Sequence, residues 1–437
     1  MATVLILGTC DTKLDELLYT KTQIESHSTC TVLIMDIGRN STSHPDINIT
    51  QSDILGSKTD LSNHDRAEYI SALAPHATSQ TSNLVHKNRI HAILAMGGSC
   101  GTGLATTVMR DAVPVGFPKL MVSTMASGDV APYIGETDIA MMYSVVDIAG
   151  RNRVLDRVLA NAAGAIAGMA RSYYSSQSDG KEKAQEQEGG KSCRIGISMF
   201  GVTTPAVMRA QQYFKERLPE CEVYIFHATG SGGRAMERLI REGQIDAVLD
   251  LTTTEMADEV VGGVLGAGPE RLSAATAKDI PRVISVGACD MVNFGGVETV
   301  PRRFQSGGDD DGSDGGPKRL FHEHNPTVTL MRTTGDECAT IARRIGHNIR
   351  GAGGRKCTVV LPTGGVSMLD APGQPFWDPE ADKILFDMLE EQAKAAGIPV
   401  VRDSRHINDP EFAQAVAEHL VQLIQGKLND ETGVIYS

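Results

Sequence analysis

Short apolar runs alternate with polar, glycine-bearing turns and amphipathic stretches along most of the chain. Val4-Leu5-Ile6-Leu7, Thr31-Val32-Leu33-Ile34-Met35, Ile90 to Met96 and Lys119-Leu120-Met121-Val122 are apolar at consecutive positions, which predicts strands buried on both faces, as in a parallel sheet covered by helices. Between them, Leu14, Leu17, Leu18 and Ile24 keep helical spacing, and a helix is expected from about Leu104 to Met109. Asp65 to about His86 also reads as a helix, one that Pro75 should kink or divide. Residues 38–64 are polar and read as loop apart from a short element near Ser52-Asp53-Ile54-Leu55. Ile139 to Val146 predicts a strand, and Arg151 to Met169 carries a strong helical pattern through Val154, Leu155, Val158, Leu159, Ala162, Ile166 and Met169.

The second half repeats the alternation. Strands are expected at 194–200, 222–226, 247–251, 283–286, 327–331 and 357–361. Pro205 opens a helix, Asp336 caps another, and Pro410 to Ile424 closes the chain. The pattern predicts an α/β protein with two Rossmann-like domains, their mostly parallel sheets flanked by helices. We place an N-terminal domain at 1–176 and a polar linker at 177–191, where Ala184 is the only apolar residue before Lys191. The C-terminal domain spans 192–437 and includes a glycine- and aspartate-rich surface loop at 305–317.

Composition narrows the function classes. A net charge of -13, from 54 acidic and 41 basic residues among 437, argues against nucleic acid or anionic membrane as a partner. No stretch approaches about 18 uninterrupted apolar residues, so a membrane span is not expected. The apolar N-terminus has no basic flank and reads as a core strand. Eight cysteines without a CxxC pair suggest neither a disulfide scaffold nor a cysteine zinc site, and point to a reducing, cytoplasmic setting. The carboxylates of Asp309, Asp310 and Asp311 match no metal-loop spacing, and no metal site is predicted.

The candidate chemistry gathers at strand ends. Gly97-Gly98-Ser99-Cys100-Gly101-Thr102-Gly103 could hold an anion on backbone N–H groups beside the Ser99 and Thr102 hydroxyls, or could be a tight turn that binds nothing. Gly8-Thr9-Cys10-Asp11-Thr12-Lys13 and Ser123-Thr124-Met125-Ala126-Ser127-Gly128-Asp129 end two other strands, and the three exits are expected to surround one phosphate. Asp36, ending the second strand, is open to two readings, an acceptor for ribose hydroxyls or a cap at the strand end. There is no G-x-G-x-x-G and no Walker A lysine, so Lys13 or Arg151 would assist the backbone. For acid/base chemistry the candidates are Asp290, His324, Asp370 and His406, with Cys100 or Cys289 as an alternative nucleophile.

The strings at 8–13, 97–102 and 123–129, with Gly287-Ala288-Cys289-Asp290-Met291-Val292-Asn293-Phe294-Gly295 and Pro372-Gly373-Gln374-Pro375-Phe376-Trp377-Asp378-Pro379, together resemble the Tm-1-like ATP-binding family, UPF0261, over nearly the whole chain. The resemblance implies two α/β domains, ATP bound by the first, and a homodimer. It carries nucleotide contact to Gly8, Thr9, Asp11, Gly98, Ser99, Gly101, Thr102, Ser127 and Gly128. Any Mg2+ would travel on the phosphates, its water shell held by Asp11 or Asp129. The alternative is an enzyme acting on a small anionic metabolite at the interdomain cleft or in the C-terminal domain.

Overall fold

The computed structural model describes residues 1–26, 30–56, 64–186, 193–305, 319–351 and 356–432. The chain divides into two compact units, Met1–Gly190 and Lys191–Ser437. In the first, β1 (Ala2–Gly8), β2 (Cys30–Asp36), β3 (Ile47–Ile49), β4 (Ala92–Gly97), β5 (Lys119–Ser123) and β6 (Ala140–Tyr143) form one parallel sheet in the order β3-β2-β1-β4-β5-β6. Successive side chains of a strand point to opposite faces, and each face here has its own apolar cover. Val4 and Ile6 pack with Leu17 of the helix Cys10–Ser26 and with Leu155, Leu159 and Ile166 of the helix Arg153–Glu186. Leu5 and Leu7 pack with Leu73 of the helix Arg66–His86 and with Leu104 and Val108 of the helix Ser99–Ala112. Burial on both faces is why these strands read as unbroken apolar runs.

The second unit holds β7 (Arg194–Met199), β8 (Glu222–His227), β9 (Ala247–Thr252), β10 (Arg282–Gly287), β11 (Met291–Phe294), β12 (Phe321–Asn325), β13 (Val328–Arg332), β14 (Cys357–Pro362) and β15 (Val400–Asp403). Six of them make a parallel sheet in the order β15-β14-β10-β9-β7-β8. The remaining three form a separate antiparallel sheet, β11-β13-β12, of which the apolar pattern reveals only β13. Its partner β12 is polar and largely exposed and offers no hydrophobic signal. The eight cysteines are all free.

Several elements differ from the sequence expectation. The helix after β4 begins at Ser99 rather than near Leu104, because its first turn needs N–H groups and space more than apolar side chains. Thr334, not Asp336, caps the helix Gly335–Asn348, exchanging hydrogen bonds with Glu337. Pro75 lies within an undivided helix; it is exposed, as is Ser71, whose carbonyl loses its partner on the solvent side. Residues 177–186 continue the helix Arg153–Glu186, since Lys, Glu, Gln and Ala favour helix even without an apolar face. The rest of the polar segment, 187–191, and most of the acidic segment at 305–317 lie outside the described residues.

The second unit is tied together by a buried ion cluster. Arg271 has no exposed side-chain surface and donates from Nε to Glu255 (2.8 Å), from Nη1 to Glu237 (3.1 Å) and from Nη2 to Asp250. Glu255 also accepts from the N–H groups of Gly230 and Gly233, and Glu237 from those of Leu272 and Ala274. One guanidinium thus joins β9, the helices Ser231–Arg241 and Thr254–Val261, and the segment after them. A Cβ at Gly233 would lie 2.1 Å from Glu255 Oε2, so only glycine lets that carboxylate reach the backbone. Removing the cation would leave three carboxylates buried without a counterion. Arg271→Ala should therefore cost the second unit about 3 to 5 kcal/mol in urea unfolding, whereas a loss below about 1 kcal/mol would mean the cluster carries little of its stability.

Candidate functional site

The helix leaving β1 packs on one face of the first sheet and the helix leaving β4 on the other, although the two strands are neighbours. Where crossovers reverse in this way, the two loops diverge and leave a crevice beyond the carboxyl ends of the strands. A cavity of about 550 Å³ lies there. Thr9, Asp11, Thr12 and Lys13 line it from the β1 side, and Gly98, Ser99, Cys100 and Gly101 from the β4 side. Ile37, Arg39 and Asn40 extend it past the end of β2, with Tyr69 against them, and Asp147 completes the charged lining.

The β4 side presents open donors. Gly98 is the N-cap of the helix Ser99–Ala112 and offers no side-chain cap, there is no acidic residue in the first turn, and Thr102 N–H is bonded back to Gly98 O (2.8 Å). The N–H groups of Ser99, Cys100 and Gly101 precede that bond at the cavity wall. A Cβ at Gly97 would come 3.1 Å from the Gly101 Cα, so this glycine serves the turn itself. A Cβ at Gly98 or Gly101 would meet only ordinary contacts, and the missing side chains there leave room on the cavity side.

The β1 side is held by carboxylates. Asp36 Oδ1 accepts from Cys10 N–H (3.1 Å) and Gly38 N–H (2.8 Å), locking the two strand exits together. Asp36 is fully buried, which raises its pKa, and the burial of Cys10 beside it pushes the thiol up. Asp11 Oδ2 accepts from Asn40 N–H (3.0 Å) and Asn40 Nδ2 (3.2 Å). Lys13 donates from Nζ to Ile148 O, fastening the segment that carries Asp147. The Tyr69 hydroxyl lies 2.7 Å from the Ile37 and Gly38 carbonyl oxygens and supports the β2 exit.

Of the residues expected around a nucleotide, Thr9, Asp11, Lys13, Gly98, Ser99 and Gly101 share the cavity lining. Others do not. Gly8 faces the helix, where a Cβ would lie 2.3 Å from Leu17 Cδ2, so it is a packing glycine. Asp36 is turned inward, and the buried Thr102 hydroxyl pairs with Ser123 Oγ at 2.6 Å. The exit at 123–129 adjoins the β4 exit, where a Cβ at Gly98 would lie 3.8 Å from Thr124 Oγ1, but none of its residues is in the lining: Ser123 Oγ accepts from Met125 N–H, a 3-10 turn follows, and Ser127 and Gly128 are exposed. Asp129 accepts from Ala131 N–H. Arg151 pairs with Asp156 through two bonds of 3.0 Å and stacks on Tyr19, away from the cavity. Arg39, Asn40, Tyr69 and Asp147 were not read as lining residues: Arg39 and Asn40 follow Gly38 at the β2 exit, a signal passed over because residues 38–64 read as polar loop, whereas Tyr69 lies within a helix and Asp147 in the segment after β6.

In the second unit, crossovers reverse between β7 and β9. The hydroxyls there face one another: Thr203 Oγ1 is 2.7 Å from Thr252 Oγ1, and Ser198 Oγ accepts from Thr252 N–H. Two of the acid/base candidates meet beyond β10 and β14. Asp290 Oδ2 accepts from Ser367 Oγ (2.8 Å), Asp370 Oδ2 from Val366 N–H (2.8 Å), and Asp382 Oδ1 from Arg332 Nη2 (2.6 Å), with Asp370 Oδ1 3.9 Å from the same guanidinium nitrogen. Among the described residues, the second oxygen of each carboxylate has no hydrogen-bond partner, and Asp290 and Asp370 have no exposed surface. His406 lies alongside: Nδ1 accepts from Asn408 N–H, so Nε2 carries the proton that bonds Ser367 O (2.8 Å). His324 is exposed on β12. Cys289 is buried and its thiol pKa raised by that burial, the opposite of an activated nucleophile, whereas Cys100 is exposed at the cavity.

One arginine among three carboxylates leaves this cluster short of positive charge. Burial and the neighbouring carboxylates raise Asp290 to about 7 and Asp382 to about 8, against the pull of Arg332. The folded state therefore binds protons that the unfolded chain releases near about pH 4. The stability so gained is complete below that pH and is lost as pH rises through 7 and 8. Scanning calorimetry between about pH 6 and about pH 8.5 should find a melting temperature that falls in the wild type and falls less in Asp382→Asn; equal slopes would place the protons elsewhere.

Among the described residues, no helix is long and apolar enough to cross a membrane, and no three His, Cys, Asp or Glu side chains converge on a metal site. Among solved structures, the chain is similar to UDP-GlcNAc 2-epimerase from Neisseria meningitidis at 10% identity over 65% of this chain and 82% of that one, with a TM-score of 0.20. The spinosyn rhamnosyltransferase SpnG is similar at 11% identity over 97% of this chain and 96% of that one, with a TM-score of 0.17; scores this low carry no argument. Sequence relatives are much nearer. A UPF0261 protein of Clostridium tetani is 44% identical over 97% of this chain and 99% of its own length, and one of Mesorhizobium japonicum is 41% identical over 96% and 99%. The tomato (Solanum lycopersicum) ToMV resistance protein Tm-1(GCR237) is 39% identical over 96% of this chain, which spans 55% of the tomato protein. Models of the uncharacterised protein family UPF0261 match at residues 2–175 for its N-terminal domain and 192–424 for its C-terminal domain, and the chain belongs to that family.

Proposed function

We propose that the first unit binds a nucleoside triphosphate in the crevice between β1 and β4, ATP being the nucleotide that the family resemblance implies. One observation carries the reading: the exits of β1 and β4 share a single cavity where the crossovers reverse. The two strand exits facing that cavity differ in charge. Asp11 stands in the single turn Cys10–Thr12, set off from the helix that follows by the non-helical backbone of Lys13 (φ -138°), and its carboxylate would repel a phosphate, while the helix Ser99–Ala112 has no acid in its first turn and an N-cap without a side chain. The phosphates accordingly belong at Gly98–Gly101, on backbone N–H groups and the Ser99 hydroxyl.

Lys13 and Arg39 in the lining are matched by Asp11 and Asp147, so the wall has no excess of cations to balance a triphosphate. A Mg2+ carried on the phosphates fits that balance, with Asp147 as an acceptor for its water shell. Asp129, bonded to Ala131 N–H outside the lining, is not placed for that task. Self-association as a homodimer in a cytoplasmic setting belongs to the same proposal, on the strength of the resemblance and the free cysteines.

Titration calorimetry with ATP and Mg2+ tests the reading. A Cβ at Gly101 has no close neighbour, so Gly101→Val should fold with an unchanged melting temperature yet bind ATP at least about tenfold more weakly, the loss of one or two charge-assisted bonds. Unchanged affinity in that variant would remove the phosphate cradle.

A further inference from the structure

We infer that Asp11 contacts the ribose of the bound nucleotide and makes the site selective for ribonucleotides over 2′-deoxyribonucleotides; this rests on the nucleotide reading above. In sheets of this topology the sugar usually meets an acid at the end of the second strand. That acid here is Asp36, which is fully buried, with Oδ1 accepting from Cys10 and Gly38 N–H groups. The carboxylate that does line the cavity on this side is Asp11, one loop away.

Its geometry suits an acceptor held ready. Asn40 fixes Asp11 Oδ2 with two donors, its own N–H and its side-chain amide. Asp11 Oδ1 accepts no hydrogen bond among the described residues, and Gly38 keeps the space beside it clear, since a Cβ there would lie 2.6 Å from that oxygen. The phosphate donors at Gly98–Gly101 follow β4, whereas Ile37, Arg39 and Asn40 follow β2 on the far side of β1. A nucleotide anchored by its phosphates on the β4 side and extending toward β2 passes its sugar over the β1 exit, where Asp11 stands. A ribose hydroxyl can donate to the unbonded oxygen, while a phosphate there would face like charge.

The test measures binding of ATP, 2′-deoxyATP and inorganic tripolyphosphate to the full chain by calorimetry, each with Mg2+ and again in EDTA. Wild-type protein should bind ATP about tenfold or more tightly than 2′-deoxyATP, as expected for one hydrogen bond to a charged acceptor. Asp11→Asn turns an amide donor toward the sugar, because Asn40 claims the remaining oxygen, and should bring ATP to the 2′-deoxyATP level while leaving tripolyphosphate unchanged. Asn40→Ala keeps the carboxylate but loosens it, so a partial loss of discrimination is expected even if Asp11→Asn folds poorly. Equal wild-type affinity for ATP and 2′-deoxyATP would overturn the ribose contact and leave the nucleotide site standing. An Asp11→Asn variant that loses its Mg2+ dependence but keeps its sugar preference would assign Asp11 to the cation and overturn it too. If no nucleotide binds the wild type, the parent reading fails and takes this one with it.

Discussion

Two neighbouring parallel strands, β1 and β4, send their helices to opposite faces of one sheet, and the cavity of the first unit follows from that reversal. A loop bound for one face cannot cover the strand end beside it when the next loop is bound for the other. The opening is therefore a property of chain topology, and its chemistry depends on which side chains the two loops bring. One loop contributes glycine, hydroxyl and bare backbone donors; the other contributes a carboxylate and a lysine. That asymmetry gives the cavity a direction, with an anion favoured at the helix N-terminus after β4 and disfavoured beside the Asp11 carboxylate after β1.

The second unit contains the same kind of reversal, between β7 and β9, with a different outcome. There the strand exits carry Ser198, Thr203 and Thr252, whose hydroxyls are buried and bonded within the protein. Eight of its buried ionisable groups lie in two clusters instead. In one, Arg271 is shared by three carboxylates, of which Glu237 and Glu255 also collect backbone N–H groups. In the other, Arg332 stands among Asp290, Asp370 and Asp382, whose second oxygens accept no hydrogen bond among the described residues. The first is fully satisfied and acts as a fastening; the second is short of donors and holds protons to compensate.

Much of this was legible in the residues. Strands packed on both faces must be apolar at every position, so β1, β2, β4 and β5 stood out as runs, and helical spacing placed the covering helices. Glycine at a strand exit signalled backbone that a ligand could approach, which located Thr9, Asp11, Gly98, Ser99 and Gly101. The antiparallel sheet was largely hidden, because β12 is polar and exposed. Gly8 and Thr102 show a further limit: a glycine that admits Leu17 and a hydroxyl that bonds Ser123 look the same in sequence as ones that face a ligand.

By itself, the sequence determined the α/β character, the covering helices and two of the loops around the cavity, since each depends on local spacing and residue type. Only the tertiary structure decided which exits share that cavity. It left the third exit beside Gly98 but outside the lining, buried Asp36 against Cys10 and Gly38, and set Asp11 beside Asn40. Those outcomes rest on strand order and on hydrogen bonds between residues far apart in the chain, and a linear pattern records neither.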